Sequence, residues 1–345
     1  MQKVIVVLLG IALLGAVIVK EVRQSWNSPL AIPDQGFVLM VDSGDTLRKV
    51  AERLSSAGVL VHPELLILYA RWTGVDQRIK KGEYLVPPQT TAASLLQLLQ
   101  RGEVIKYQVT LPEGITLAKA LSILSEQEKL EMVLSGPEDP QLLDVVKPLA
   151  QAEGLFFPDT YLYARGDTDL SILQRAHAAM MTVLQEEWLN RTQTLPYENS
   201  YDALIMASII ERETGIPEER AQISGVFVRR LQRGMLLQTD PSVIYGLGAG
   251  FDGNLQRDHL KQESNIYNTY RHSGLPPTPI ALPGREAIHA ALNPDTGDAL
   301  YFVAKGDGAH QFSTTLKQHN QAVREFQIRR RENYRSQPQR NSKNE

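Results

Sequence analysis

Residues 203–215, Ala-Leu-Ile-Met-Ala-Ser-Ile-Ile-Glu-Arg-Glu-Thr-Gly, read as a helix that is apolar on nearly every side and ends in charge. A helix apolar all round is buried, so this segment must lie at the centre of a domain, with other elements layered around it. At about 100° per residue, Glu211 falls between Leu204, Ala207 and Ser208, and Glu213 falls among Met206, Ile209 and Ile210 on roughly the opposite face. Only one of the two acids can look into a given cleft. A carboxyl group in apolar surroundings keeps its proton to higher pH, which is what a general acid requires. The small side chains of Ala207 and Ser208 leave room beside Glu211 for a substrate, whereas the bulky neighbours of Glu213 suggest packing. The competing reading is that both acids cap the exposed end of a core helix stopped by Gly215.

A chain of 345 residues has length for an anchor and about two domains, and 43% hydrophobic residues suffice for real cores. The formal net charge of −3 gives no electrostatic footprint for nucleic acid, which normally shows as a strongly basic face. Basic residues gather from Arg324 onward but are interleaved with Glu325, Glu332 and Glu345, as on a solvated tail. Residues 4–19 carry no charge and are bounded by Lys3 and Lys20. As a helix they would span about 24 Å, and snorkelling lysines with local thinning of the bilayer make up the difference from a full hydrocarbon core. No A-x-A cleavage site follows directly, so residues 1–20 read as a retained transmembrane anchor rather than a removed signal peptide. The absence of cysteine excludes disulfide, thiol and Cys-zinc chemistry.

Residues 21–36, with Pro29 and Pro33, read as a linker. Beyond it a pattern repeats: Gly44-Asp45-Thr46-Leu47 recurs as Gly114-Ile115-Thr116-Leu117 at an offset of 70 residues. In each copy an alternating stretch, 37–41 or 105–111, leads through Gly-x-Thr into a helical pattern whose first turn Thr46 or Thr116 can cap. The unit is strand, turn, capped helix. Helices are expected over residues 65–72 and 92–100, and 103–149 form a second repeat-like segment and connection. From about residue 150 to 331 the texture becomes helices separated by long Pro-, Gly- and Tyr-rich loops. Helices are expected over 202–214, 218–232, 285–292 and 316–331, with a strand over 300–304, and a polar tail over 332–345. The class is α+β. Loops of this length without structure of their own are usually functional.

Asp240-Pro241 is explained without catalysis as a helix cap followed by Pro at the first helical position. Gln238 and Thr239, just upstream, would then be held rigidly, which suits hydrogen bonding to sugar hydroxyls. Tyr267, Asn268 and Tyr270 offer flat apolar faces with polar edges, the usual chemistry of carbohydrate contact, although core packing explains either tyrosine equally well. His310 and His319 lack a third ligand at a recognised spacing, so no metal is expected. There is no G-x-S-x-G elbow and no glycine-rich phosphate loop, and the sequence calls for no cofactor.

Five ordered motifs carry a resemblance. Glu153-Gly154-Leu155-Phe156-Phe157-Pro158-Asp159-Thr160-Tyr161, Ala207-Ser208-Ile209-Ile210-Glu211-Arg212-Glu213-Thr214, Leu237-Gln238-Thr239-Asp240-Pro241-Ser242-Val243-Ile244-Tyr245-Gly246, Tyr267-Asn268-Thr269-Tyr270 and Gly274-Leu275-Pro276-Pro277 stand in the order seen in MltG-type endolytic murein transglycosylases, the YceG-like family. The resemblance runs over essentially the whole chain. It implies a single-pass inner-membrane protein with a LysM-like module, here residues 37–102, before a catalytic domain in the periplasm. It also implies cleavage of nascent peptidoglycan glycan strands beside peptidoglycan synthases. The family's catalytic glutamate falls on Glu211, and Gln238, Thr239, Asp240, Tyr267, Asn268 and Tyr270 are expected to bind substrate. Many relatives have Lys at Arg212, Gly at Thr278 and a small or polar residue at Leu282, departures that touch loop contacts and leave the acid in place. A hydrolase generally needs two carboxyl groups, whereas a lytic transglycosylase can work with one. Two rivals stay open: a muramidase that recruits Asp240 or Glu153, and a non-catalytic glycan-binding membrane scaffold.

Overall fold

The computed structural model describes Lys20 and residues 26–75 and 78–328. Residues 1–19 of the segment read as an anchor, most of the linker's start and the 332–345 tail lie outside the described residues. Among the described residues no helix is long and apolar enough to cross a membrane. Helices mix with small two-stranded sheets in an α+β arrangement, and the chain divides into two compact units.

The first unit comprises the described residues up to 108 with 129–131 and 162–167. Its elements are β1 (Phe37–Val41), α1 (Leu47–Ser56), α2 (Pro63–Thr73), β2 (Gly82–Val86) and α3 (Ala92–Arg101). Strands β1 and β2 pair antiparallel, with Leu39 opposite Tyr84 and Val41 opposite Gly82. The period of two is visible in burial: Leu39, Val41, Tyr84 and Val86 face inward, whereas Val38 and Leu85 are exposed. Helices α1 and α3 close over that inner face with Val50, Leu54, Leu95 and Leu99. Burying each such side chain stabilises by about 1.5–3 kcal/mol. Thr46 caps α1 by accepting the Lys49 N–H, and Thr91 with Ser94 forms a capping box on α3. Left-handed glycines, Gly74 and Gly102, stop α2 and α3.

The second unit begins at Val109 and takes in residues 109–128, 132–161 and 168 onward. Its elements follow β3 (Tyr107–Thr110), whose first residues belong to the first unit. They are α4 (Leu117–Ser125), α5 (Pro140–Val145), β4 (Thr160–Tyr163, whose last two residues belong to the first unit), α6 (Asp169–Leu189), α7 (Ser200–Glu213) and α8 (Pro217–Gln232). Then come α9 (Asp240–Leu247), α10 (Arg285–Leu292), β5 (Tyr301–Ala304), β6 (His310–Ser313) and α11 (Leu316–Val323). Helix α7 is the hub. Every residue from Ala203 to Ile210 is buried, because α6, α8, α9 and α10 all pack on it, as the all-round apolar pattern requires. Asn199 fixes its start by accepting the Tyr201 and Asp202 N–H groups. The repeat is real at the level of local structure: Gly44 and Gly114 both take positive φ, 81° and 75°, and Thr116 caps α4 as Thr46 caps α1. The helix expected over 316–331 stops being α-helical at Val323 and continues as a π-helical turn, Arg324–Ile328.

Candidate active site

Glu211 stands in the last turn of α7, its side chain only 7% exposed. Its Oε2 accepts the Gly284 N–H at 3.1 Å, and Arg220 on α8 brings Nη2 to 4.0 Å from Oε1. A turn at residues 113–115 closes beside it. The Gly114 N–H donates to the Leu282 carbonyl at 2.8 Å, and the Leu282 N–H donates to the Ile115 carbonyl at 2.8 Å. Arg212 then donates to the Gly114 carbonyl at 2.9 Å. The φ of 75° at Gly114 is left-handed and favours glycine there. Burial pushes the Glu211 carboxyl above the usual carboxylate range, and the Glu113 carboxylate reinforces it; the Gly284 N–H, Arg220 and Arg212 pull the other way.

The room expected beside Glu211 is taken by protein. Ala207 and Ser208 are fully buried. Ser208 Oγ donates to the Ile205 carbonyl at 2.7 Å and accepts the Ile280 N–H at 3.0 Å. Small residues on this face therefore let the 279–284 loop descend onto α7, and that loop delivers the Gly284 amide to the acid. Gly154, at φ 79°, serves the same loop from below, since a side chain there would collide with Pro279.

Glu213 does not simply pack among Met206, Ile209 and Ile210. The partly buried carboxyl is under the influence of the 238–240 loop: burial raises its pKa to about 7, with Thr239, Asp240 and Arg230 also acting on it. Arg230 is itself 7% exposed and donates to the Leu237 and Leu300 carbonyls at 2.8 Å each. Gln238, Thr239, Asp240 and Tyr270 thus gather on the Glu213 side. Tyr270 donates its phenol to Asp240 Oδ1 at 2.7 Å, and the Thr239 N–H donates to Thr269 Oγ1 at 3.0 Å. Gln238 is exposed, with φ 55°. Asp240 is the first helical residue of α9, and Thr239, not Asp240, occupies the cap position. Pro241 follows one place later than the cap reading expects.

Asn268 offers no free polar edge. It is fully buried, its amide donates to the His259, Leu260 and Gln262 carbonyls at 3.3, 3.2 and 2.9 Å, and its oxygen accepts the Tyr270 N–H at 3.1 Å. It holds the loop from within. Tyr267 is half-buried, bonds Thr278 Oγ1 at 2.9 Å and meets the Tyr245 ring edge-on at 4.8 Å. Tyr245 in turn donates to Glu153 Oε2 at 3.2 Å, while Glu153 Oε1 accepts the Leu117 N–H at 2.9 Å and caps α4. Burial raises Glu153 to about 7. Glu153 and Asp240 are therefore occupied elsewhere, and the carboxylate acting on Glu211 is Glu113. Sequence reasoning passed over Glu113, although Pro-Glu-Gly before the repeated Thr signalled a fixed turn. His310 binds Glu219 through both its Nδ1 and its backbone N–H at 2.7 Å, and His319 stacks on Tyr301 at 5.2 Å.

Comparison with known proteins points one way. The sequence model of the YceG-like family matches residues 39–325. An endolytic murein transglycosylase of Bacillus subtilis is 30% identical over 312 residues, covering 83% of this chain and 83% of the relative. One from Streptococcus pneumoniae is 28% identical over 322 residues, covering 83% of this chain and 57% of that longer protein. The crystal structure of a yceG-like protein from Listeria monocytogenes superposes with a TM-score of 0.54 at 27% identity, over 84% of this chain and 99% of the other.

Proposed function

The chain belongs to the YceG-like family, and on that premise we propose that it is an endolytic lytic transglycosylase of peptidoglycan, with Glu211 as its acid and base. It cleaves the bond from N-acetylmuramic acid to N-acetylglucosamine inside a glycan strand and leaves 1,6-anhydro ends. The carrying observation is Glu211 itself: a carboxyl group whose burial favours its protonated form, fixed in place by the Gly284 amide.

Protonated Glu211 donates to the glycosidic oxygen, and the C1–O bond breaks as the sugar gains oxocarbenium character. The Gly284 N–H and the Arg220 guanidinium then face a carboxylate, and charge-assisted hydrogen bonding and opposite charge stabilise it. That carboxylate next takes the proton of the muramic acid C6 hydroxyl, whose oxygen closes on C1. One bond to C1 is exchanged for another, the proton returns to Glu211, and no water is consumed. Glu153 and Asp240, the second carboxylates a muramidase would recruit, have partners of their own, which favours the transglycosylase.

The finer assignments are part of the same reading. The exposed Gln238 and Asp240 and the half-buried Tyr267 and Tyr270 contact sugar, while Thr239 and Asn268 support them from behind. The β-α-α-β order of β1, α1, α2 and β2 supports a LysM-like module that holds glycan, and catalysis belongs to the second unit, which includes the 113–115 turn. The uncharged run 4–19 supports an inner-membrane anchor with both units in the periplasm beside peptidoglycan synthases. The test is mass spectrometry of products from purified glycan strands cut in heavy-oxygen water. Anhydro ends without label are expected. Labelled reducing ends would make the protein a hydrolase, and no cleavage at all would make it a scaffold.

A further inference from the structure

Glu113 takes no part in the reaction, yet the backbone of its turn is held in place. The two backbone hydrogen bonds between Gly114, Ile115 and Leu282, together with the Arg212 bond to the Gly114 carbonyl, tie its turn to the loop that ends at Gly284. Gly284 has φ −78° and ψ 171°, a conformation open to any residue, so glycine is not there for backbone freedom. It is there for space. A methyl group on Gly284 would collide with the Glu113 carboxyl, whose Cγ would lie 3.0 Å away. The exposed Glu113 side chain therefore lies against Gly284, whose amide holds Glu211.

We propose that Glu113 is a positioning residue for the reaction: across the bare Gly284 its negative charge faces Glu211, while Arg220 faces the same carboxyl from α8, so the two govern in opposite senses when the acid holds and releases its proton. The inference rests on Glu211 being the acid. Among the described residues Arg220 makes its ion pair with Glu211. The other charges around the acid are committed. Arg212, on the acid's own helix, is bonded to Gly114, and Arg285 at the start of α10 is paired with Glu186 and Glu187. Glu286, in the first turn of α10, is exposed. Glu113 adds to the burial that raises Glu211, and Arg220 opposes it, as like and opposite charges should. A general acid needs its proton at the first step and must give it up in the same step, and the two opposing charges act on that transfer in opposite senses.

The test is a titration of the Glu211 carboxyl by NMR of isotope-labelled glutamate, its signal assigned by loss in Glu211→Gln, run beside the pH dependence of kcat/KM. In Glu113→Gln the Glu211 titration should fall by about one pH unit, a shift typical of removing a nearby like charge. The alkaline limb of activity should fall with it, lowering the rate about tenfold above it. Arg220→Gln should move both upward, and Glu113→Asp, which keeps the charge, should move them less. A folded Glu113→Gln protein whose Glu211 titration stays in place overturns the proposal and leaves Glu211 free to be the acid. A titration that moves while the activity limb stays still overturns the assignment of Glu211 as the acid.

Discussion

Glu211 and Glu213 are two residues apart on one helix end, and both carboxyl groups are raised mainly by burial, yet the chain treats them differently. Glu211 meets a backbone amide, an arginine and a second carboxylate at the edge of a loop. Glu213 is partly buried, and the groups acting on its carboxyl are Thr239, Asp240 and Arg230. Desolvation therefore does not mark a catalytic acid by itself. What separates the two is their surroundings: Glu211 is held by a backbone amide from the 279–284 loop with Arg220 beside it, whereas the groups acting on Glu213 come from the 238–240 loop and Arg230.

The strongest way to break that distinction is to remove each proton in turn. Glu211→Gln keeps the shape and can still accept the Gly284 N–H but cannot deliver a proton. Loss of general acid catalysis costs about 10²- to 10⁴-fold, and more where the same group is also the base, so cleavage of glycan strands should vanish while strand binding persists. Glu213→Gln should keep cleavage within about threefold, because no reacting atom depends on it. If Glu213→Gln is the dead variant and Glu211→Gln is active, the roles are reversed.

The second contrast lies in stability against pH. Glu213 titrates at about 7 in the folded chain and ordinarily near 4.5, so between those values the unfolded chain ionises while the folded chain still holds its proton. Stability then falls as pH rises through this window, by an amount on the order of 3 kcal/mol for a shift of this size. Glu213→Gln has no proton to lose and should show a smaller fall in melting temperature between about pH 4 and about pH 8. Glu153→Gln should show the same flattening, since Glu153 also titrates at about 7. Melting curves that keep their full pH dependence in both variants would mean that neither acid is neutral in the fold.

Asn268 gives a smaller effect of a different kind. Removing its buried amide leaves three carbonyls and the Tyr270 N–H without their partner, so Asn268→Ala should destabilise by about 2 kcal/mol. A denaturation midpoint unchanged from the parent would refute the supporting role and return Asn268 to the sugar face.

Period and capping were legible in the sequence, and encounters between distant segments were not. The all-round apolar run over α7, the Gly-x-Thr caps at Thr46 and Thr116 and the limits of α10 all follow from local chemistry, and they stand in the fold. Helix α6 escaped because it buries Asp169 and Glu187 among its apolar residues, which blurs the stripe that periodicity seeks. Asp169 is spent on the Val133 and Leu134 amides, and Glu187 on Arg285 and His289, partners no window around α6 contains. The candidate site follows the same rule. Helical phase put Glu211 and Glu213 on different faces, but what covers each face is a loop from elsewhere. Ser208 looked like an opening because it is small, and it is small because Ile280 sits on it. Glu113 lies 98 residues before Glu211 in the chain, and only the Gly284 contact reveals it.

The smallest effect separates binding from folding at the loop over Glu213. Gln238 is exposed and adopts φ 55°, a left-handed conformation that costs a non-glycine residue about 1 kcal/mol. Its backbone N–H is bonded to the Thr269 carbonyl, so the loop forces the angle, and its side chain makes just a long 3.4 Å contact with Arg230. A residue kept strained and outward-facing has no structural reason to be glutamine. Gln238→Gly relieves the strain but adds freedom to the unfolded chain worth about 0.4–1 kcal/mol, so the two terms nearly cancel and the melting temperature should hardly move. If the amide contacts glycan, KM should rise about threefold to tenfold with kcat little changed, the signature of lost uniform binding. An unchanged KM would remove Gln238 from the sugar contacts and leave Asp240 and Tyr270 to carry that side of the site.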